Sequence, residues 1–293
     1  MKPALFEYFA PASVDEAIEL LAARREDAKV LAGGQSLVPL MNMRLARPGA
    51  IVDINRIHDL DYVRELDGGL AIGAMTRQRT AEKSSLCRER APLLHEALGY
   101  IGHIAIRTRG TVGGTIAHAD PAGELPAVVT ALGAELVARG PRGERVVRAE
   151  AFYLTYLTTV LEPDEMLTEV RLPALPQGAG WCFMEISRRH GDFALVGVAC
   201  ILQLDAGGLI SDAGLVFTGV GGTPYVSGVG AEALRGEKPS QTLFERVQQV
   251  VSADDGLEPD SDIHASAVYR KEVAGVMAKR ALKIAAERVG SRQ

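Results

Sequence analysis

Two glycine doublets constrain this chain more than any other feature. They are Gly33-Gly34 in "LAGGQS" (31–36) and Gly113-Gly114 in "TVGGT" (111–115), about eighty residues apart. Each stands next to a segment with helical character. Glycine has no Cβ, so the backbone can approach a ligand or another strand closely. Successive N–H groups at such a turn form an anion nest, and a following helix dipole reinforces it. A single doublet is most often only a tight strand–helix turn. Two of them suggest a ligand with two linked phosphates, held from both sides. Neither doublet fits G-x-G-x-x-G or G-x-x-x-x-G-K-[ST], which disfavours a classical dinucleotide fold and a phosphate-loop NTPase.

The flanking sequence has the pattern of an α+β protein. Ser13 and Glu16 form a capping box before a helix carrying Val14, Ile18 and Leu21 on one face. "AKVLAGG" (28–34) and "AIVDI" (50–54) are expected strands, with a helix over 36–46 between them. "GLAIGAM" (69–75) is a strand and "APLLHEALGYIG" (91–102) a helix. A helix is expected from Pro126 to Ala131, a hairpin turns at Pro141-Arg142-Gly143, and "EMLTEVRLP" (165–173) is a strand. The proline- and glycine-rich stretch 173–180 marks a domain boundary. Beyond it, 181–187, 193–204 and 209–221 form a three-stranded meander. A long helix from about Ala265 has Tyr269, Val273, Val276, Met277 and Ile284 as its apolar stripe.

Composition narrows the function. Net charge is −5 without a basic block, against a nucleic-acid surface. No apolar run approaches a membrane span and no signal-peptide layout opens the chain, so the cytoplasm is the expected compartment. The three cysteines (Cys87, Cys182, Cys200) and six histidines are scattered, without metal-ligand spacing. No nucleophile–base motif or marked carboxylate pair occurs, so no catalytic residue and no metal ligand is assigned.

The segments "AGGQS" (32–36), "NMRLARPGAIVDI" (42–54), "AIGAMT" (71–76), "IRTRGTVGGTIAHADPAGELPAVVTALGA" (106–134), "RRHGDFALVG" (188–197) and "YRKEVAGVMAKRAL" (269–282) resemble the FAD-binding medium subunit of molybdenum hydroxylases, the family of carbon monoxide dehydrogenase and xanthine-type dehydrogenases. The resemblance covers nearly the whole chain. It implies a PCMH-type, vanillyl-alcohol-oxidase-like FAD-binding domain at 1–175, made of two α/β subdomains (about 1–56 and 57–175). A C-terminal domain at 176–293 follows, with a three-stranded antiparallel sheet and helices.

The resemblance also implies a set of cofactor contacts. Ala32, Gly33, Gly34, Gln35 and Ser36 would wrap the FAD pyrophosphate, with Lys29, Val30 and Leu31 beside the adenosine half. Thr111, Gly113, Gly114 and Thr115 would close from the other side. His118 stands where relatives often have asparagine. Asp120, before a proline, fits a turn or cap as well as a cofactor contact. Glu124 fits an acidic cofactor position or a helix-start charge. Phe193 stands where relatives stack an aromatic on the flavin, though an apolar core strand is an alternative. Leu161 would pack an aliphatic side chain against the ring system, or simply pack in the core.

On this resemblance the chain is the flavin electron-transfer subunit of a heterotrimer. A small subunit would carry two [2Fe–2S] clusters and a large one molybdopterin cytosine dinucleotide, the whole assembling as a dimer of heterotrimers. Substrate choice would lie in the large subunit. An alternative of another class is a nucleotide-binding assembly or regulatory subunit without turnover.

Overall fold

The computed structural model describes residues 1–290; the last three residues of the expected C-terminal domain lie outside them. The chain opens with β1 (Glu7–Phe9), α1 (Val14–Arg24), β2 (Ala28–Leu31), α2 (Leu37–Asn42) and β3 (Ala50–Asp53). β1 and β2 both pair parallel with the central β3. Ala17, Ile18 and Leu21 of α1 pack on Val52, Ile54 and Ile57, so the helix stripe falls where its period places it. Ser13 Oγ caps Glu16 N–H at 3.2 Å, but the Glu16 carboxylate accepts from Ala12 N at 2.9 Å instead of from Ser13. The capping box is therefore shifted by one residue.

A second unit contains β4 (Val63–Leu66), β5 (Gly69–Gly73), α3 (Gln78–Lys83), α4 (Ser85–Arg90), α5 (Pro92–Leu98), α6 (Ile104–Arg109), α7 (Val112–His118) and α8 (Glu124–Ala131). It continues with β6 (Glu135–Gly140), β7 (Gly143–Arg148), the short pair β8 (Tyr153–Thr155) and β9 (Thr158–Thr159), and β10 (Met166–Leu172). Its five-stranded sheet has the order β4-β5-β10-β6-β7 and is antiparallel throughout. The hairpin turns where expected, with Gly143 at φ 100°.

The third unit holds β11 (Gly180–Ile186), β12 (Val196–Leu204), β13 (Ile210–Thr218), β14 (Tyr225–Val226), α9 (Gly228–Leu234), α10 (Gln241–Ser252) and α11 (Ala267–Arg288). Its sheet has four strands, not three, because β14 pairs with β13. The sheet is covered on both faces. Cys182, Val198, Cys200 and Leu215 pack against α10 and α11, whereas Phe183, Ala199 and Ile201 join the core of the second unit. Burial on both faces explains why β12 is apolar without alternation.

The α11 stripe also differs from expectation. Tyr269 is exposed, Val273, Val276 and Ile284 are half-buried, and of the expected set only Met277 is buried. The buried residues are Arg270, Ala274, Gly275, Met277, Ala278, Ala281, Leu282 and Ala285, five of them alanine or glycine. Small residues let the helix approach its neighbours closely: a Cβ on Gly275 would lie 2.3 Å from Gln248 O, and one on Gly180 1.9 Å from Ala285 O. A hydrophobicity scan ranks valine above alanine and so rotates the predicted face.

Candidate functional site

β2 runs straight into the first glycine doublet. The Gly33 backbone lies against the end of α6: a Cβ there would stand 2.4 Å from Arg109 O and 2.7 Å from Gly110 Cα. Gly34 takes φ 72°, the left-handed region that favours glycine. The N–H groups of Gly33, Gly34, Gln35 and Ser36 donate to no acceptor among the described residues, while Gln35 Nε2 folds back onto Gly33 O at 3.0 Å. Four successive amides thus remain available to a ligand.

The second doublet differs from the bare turn expected of it. Gly113 and Gly114 lie inside the first turn of α7, with Thr111 as N-cap. Their amides are engaged: Gly113 N donates to Ala74 O at 2.9 Å, Gly114 N to Thr111 Oγ1 at 3.0 Å, and Thr115 N to Thr111 O at 3.2 Å. Gly113 serves close packing, since a Cβ there would lie 2.5 Å from Ala74 Cβ. The doublets do meet: a Cβ on Gly114 would be 3.4 Å from the Ala32 Cβ. The first contributes free amides and the second a wall.

Two residues that sequence reasoning missed brace this junction. Asn55 Nδ2 donates to Ala32 O at 2.8 Å and its Oδ1 accepts from Arg77 at 2.7 Å; Arg77 also donates to Arg109 O at 2.6 Å. The brace runs from one doublet to the segment before the other. As isolated polar residues in the sequence, Asn55 and Arg77 carry no motif that could have marked them.

A cavity of about 240 Å³ opens beside the junction. Gln35, Ser36, Thr115, His118, Asp120 and Glu124 line it, together with Ile101, Gly102, Ile106 and Phe193. Gln78, also missed, donates from Nε2 to Thr115 Oγ1 at 2.6 Å, and its buried Oε1 has no partner among the described residues. Burial pushes the His118 imidazole below its ordinary range. Burial first, then Asp120, pushes the Glu124 carboxyl up to about 7. Asp120 Oδ1 accepts from Ala122 N at 2.9 Å, fixing the turn into α8.

Phe193 is not in a core strand. β12 starts at Val196, and Phe193 stands on the preceding loop, 65% exposed. There it joins the first cavity to a second cleft of about 620 Å³, which shares Asp120, Gly191 and Asp192 with it. Lys29, Val30 and Leu31 sit on β2, Lys29 exposed and the others half-buried, away from the cavity lining. Leu161 is half-buried against the core of the second unit and also lies outside that lining. Among the described residues, no group of three or more His, Cys, Asp or Glu is placed to hold a metal ion, and no helix is long and apolar enough to cross a membrane.

Comparison with known proteins agrees with this geometry. Residues 4–175 match the family described as FAD binding domain in molybdopterin dehydrogenase, and residues 181–285 match the CO dehydrogenase flavoprotein C-terminal domain. The chain is 40% identical to the 6-hydroxypseudooxynicotine dehydrogenase complex subunit alpha of Paenarthrobacter nicotinovorans, over 98% of this chain and 97% of that one. It is 39% identical to caffeine dehydrogenase subunit beta of Pseudomonas sp. (strain CBB1), over 99% and 97%. Its fold superimposes on a chain of the solved carbon monoxide dehydrogenase from Hydrogenophaga pseudoflava with a TM-score of 0.94 at 39% identity, covering 99% of this chain and 100% of that one. The free amides of 33–36, the orphaned Gln78 oxygen and the glycine-lined junction fit a dinucleotide flavin, an anion with hydrogen-bonding ring edges. The architecture is thus the PCMH-type α+β fold, and the chain belongs to the FAD-binding subunits of the molybdenum-containing dehydrogenases.

Proposed function

We propose that this chain is the electron relay of a molybdenum hydroxylase: it would hold FAD between the [2Fe–2S] clusters of a small partner subunit and an external acceptor, with substrate oxidised at a large molybdopterin subunit. FAD, when bound, accepts electrons singly and releases them in pairs. The chain's own residues bind, orient and shield it. Amides of Gly33, Gly34, Gln35 and Ser36 hold the pyrophosphate, and Lys29, Val30 and Leu31 flank the adenosine half. Ala32, Thr111, Gly113 and Gly114 set the spacing of the two walls. Thr115, His118, Asp120 and Glu124 face the cofactor across the cavity, Phe193 stacks on the ring, and Leu161 backs it from the core side. The division into 1–175 and 176–293, a cytoplasmic location and a dimer of heterotrimers complete the reading.

The observation that carries it is the exposed Phe193 where the two cavities meet. A ring held against that side chain would border both the cavity and the larger cleft, because Phe193 lines both. Such a layout suits electron passage better than sealed storage. The test is anaerobic reduction of the complex purified with its partner subunits, using N-heterocycles and aldehydes as candidate substrates. The expected result is loss of the visible flavin absorbance after the iron–sulfur centres are reduced. Clusters that become reduced while the flavin stays oxidised would favour the non-catalytic assembly role.

A further inference from the structure

One buried oxygen beside the glycine junction is left without a hydrogen to accept. Gln78 opens α3 and is 2% exposed. Its backbone N donates to Gly110 O at 2.9 Å and its Nε2 to Thr115 Oγ1 at 2.6 Å, while its Oε1 has no partner among the described residues. Gly110 makes room for this amide: a Cβ there would lie 2.6 Å from Oε1. The same Gly110 packs against the first doublet, since a Cβ on Gly33 would lie 2.7 Å from its Cα. Gln78, Gly110 and Thr115 all line the cavity, with Gln35 and Ser36.

Thr115 is the second half of the arrangement. A threonine inside a helix can return its hydroxyl hydrogen to the carbonyl four residues back. Thr108 does so to Ile104 O at 2.7 Å, and Thr130 to Pro126 O at 2.8 Å. Thr115 makes no such bond among the described residues. Its Oγ1 takes a hydrogen from Gln78 and keeps its own to give. An acceptor without a donor, Gln78 Oε1, thus stands beside a donor without an acceptor, the Thr115 hydroxyl. A ligand hydroxyl satisfies both at once, because it donates and accepts.

We propose that Gln78 and Thr115 read the 4′-hydroxyl of the ribityl chain of FAD, and so tell an open-chain sugar alcohol from a furanose. This rests on the reading that the cavity takes FAD, and it names the two side chains that select its flavin half.

Position singles out that hydroxyl. The amides of 33–36 are the seat of the pyrophosphate, and Gln78 adjoins them through Gly110. Thr115 follows Gly114, where an added Cβ would lie 3.4 Å from Ala32 Cβ. Both side chains therefore belong beside the first carbons after the phosphate, not at the far end of the flavin. On the ribityl side of FAD, the second carbon from the phosphate carries a free hydroxyl. On the ribose of the adenosine half, or of a nicotinamide dinucleotide, that carbon carries the ring ether oxygen, which accepts but has no hydrogen. A furanose in this place would leave Gln78 Oε1 buried and unpaired, which is the costly case. A site built to hydrogen-bond a hydroxyl rejects an analogue that lacks it. The pair thereby fixes which half of the dinucleotide enters the cavity, with the flavin ring toward Phe193.

The experiment titrates the FAD-free full chain with FAD, 4′-deoxy-FAD and 3-methyl-FAD, followed by flavin fluorescence, in wild type, Gln78→Met and Thr115→Val. Wild type should bind 4′-deoxy-FAD about tenfold more weakly than FAD, the effect of leaving one buried partner unpaired. It should bind 3-methyl-FAD as it binds FAD. Gln78→Met keeps the side-chain length and removes the acceptor. It should bind FAD about tenfold more weakly than wild type does, and 4′-deoxy-FAD no more weakly than FAD. Thr115→Val should narrow the same preference. The wild-type comparison needs no variant: equal affinity for FAD and 4′-deoxy-FAD overturns the proposal and leaves the FAD reading intact. A full preference retained in Gln78→Met overturns it too. A loss with 3-methyl-FAD that disappears in Gln78→Met would assign the pair to the imide edge of the ring, and the proposal falls. Wild type that binds none of the three flavins contradicts the FAD reading and, with it, the ribityl contact.

Discussion

Gly33→Ala is expected to weaken FAD binding by more than about a hundredfold, or ~2.7 kcal/mol. The added Cβ would stand 2.4 Å from Arg109 O and 2.7 Å from Gly110 Cα. Both are backbone atoms, so no side chain can swing aside. Either the 32–36 loop lifts from the end of α6, or the 109–110 segment moves and drags the brace from Arg77 with it. Overpacking of this kind costs about 1–3 kcal/mol in a well-packed site, and here the displaced element carries the free amides. The check is flavin content on purification together with an FAD titration, beside Gly228→Ala as control. Gly228 has open space around the added carbon and should keep full flavin loading.

Arg107→Ala should destabilise the chain by about 3–5 kcal/mol, the range for removing one partner of a buried ion pair. Arg107 is 6% exposed. It donates to both Glu82 oxygens at 2.9 and 3.2 Å, to Ile101 O at 2.8 Å and to Gly102 O at 3.1 Å. Ile101 and Gly102 line the cavity, so FAD affinity should fall along with stability. Burial alone would raise the Glu82 pKa, but hydrogen bonds from Arg107 and Arg79 overcome it and hold the carboxyl below its usual range. A depressed acid contributes stability above its unfolded pKa and loses it as pH falls through the folded value. The gap between wild type and Arg107→Ala should therefore narrow below about pH 4. Urea denaturation at pH 7 and at pH 3.5 checks both statements, with equal midpoints at pH 7 as the contrary result.

Strongly patterned elements were legible in the sequence, and close packing was not. The α1 stripe, the hairpin at Gly143 and the strand at 165–173 follow from local periodicity and turn chemistry. Gly113-Gly114 in a helix does not, because glycine disfavours helix locally; the seat of α7 on Ala74 overrides propensity, and only the fold reveals it. The α11 face escaped for the same reason: its contacts depend on alanine being small. At the site, the doublets and the His118–Glu124 segment were visible as motif. Asn55, Arg77 and Gln78 were not, since each acts through a partner distant in sequence. The apolar run places Phe193 in a strand over 193–204; β12 starts at Val196 and leaves it outside the sheet.

The central claim is that the 33–36 amides grip the cofactor while those of 113–115 are already spent within the chain. Amide hydrogen exchange with and without saturating FAD tests it directly. The amides of Gly33, Gly34, Gln35 and Ser36 should exchange fast in the FAD-free chain and become strongly protected on binding, while Gly113, Gly114 and Thr115 should be protected in both states. Unchanged exchange at 33–36 in a chain with FAD demonstrably bound would contradict the account.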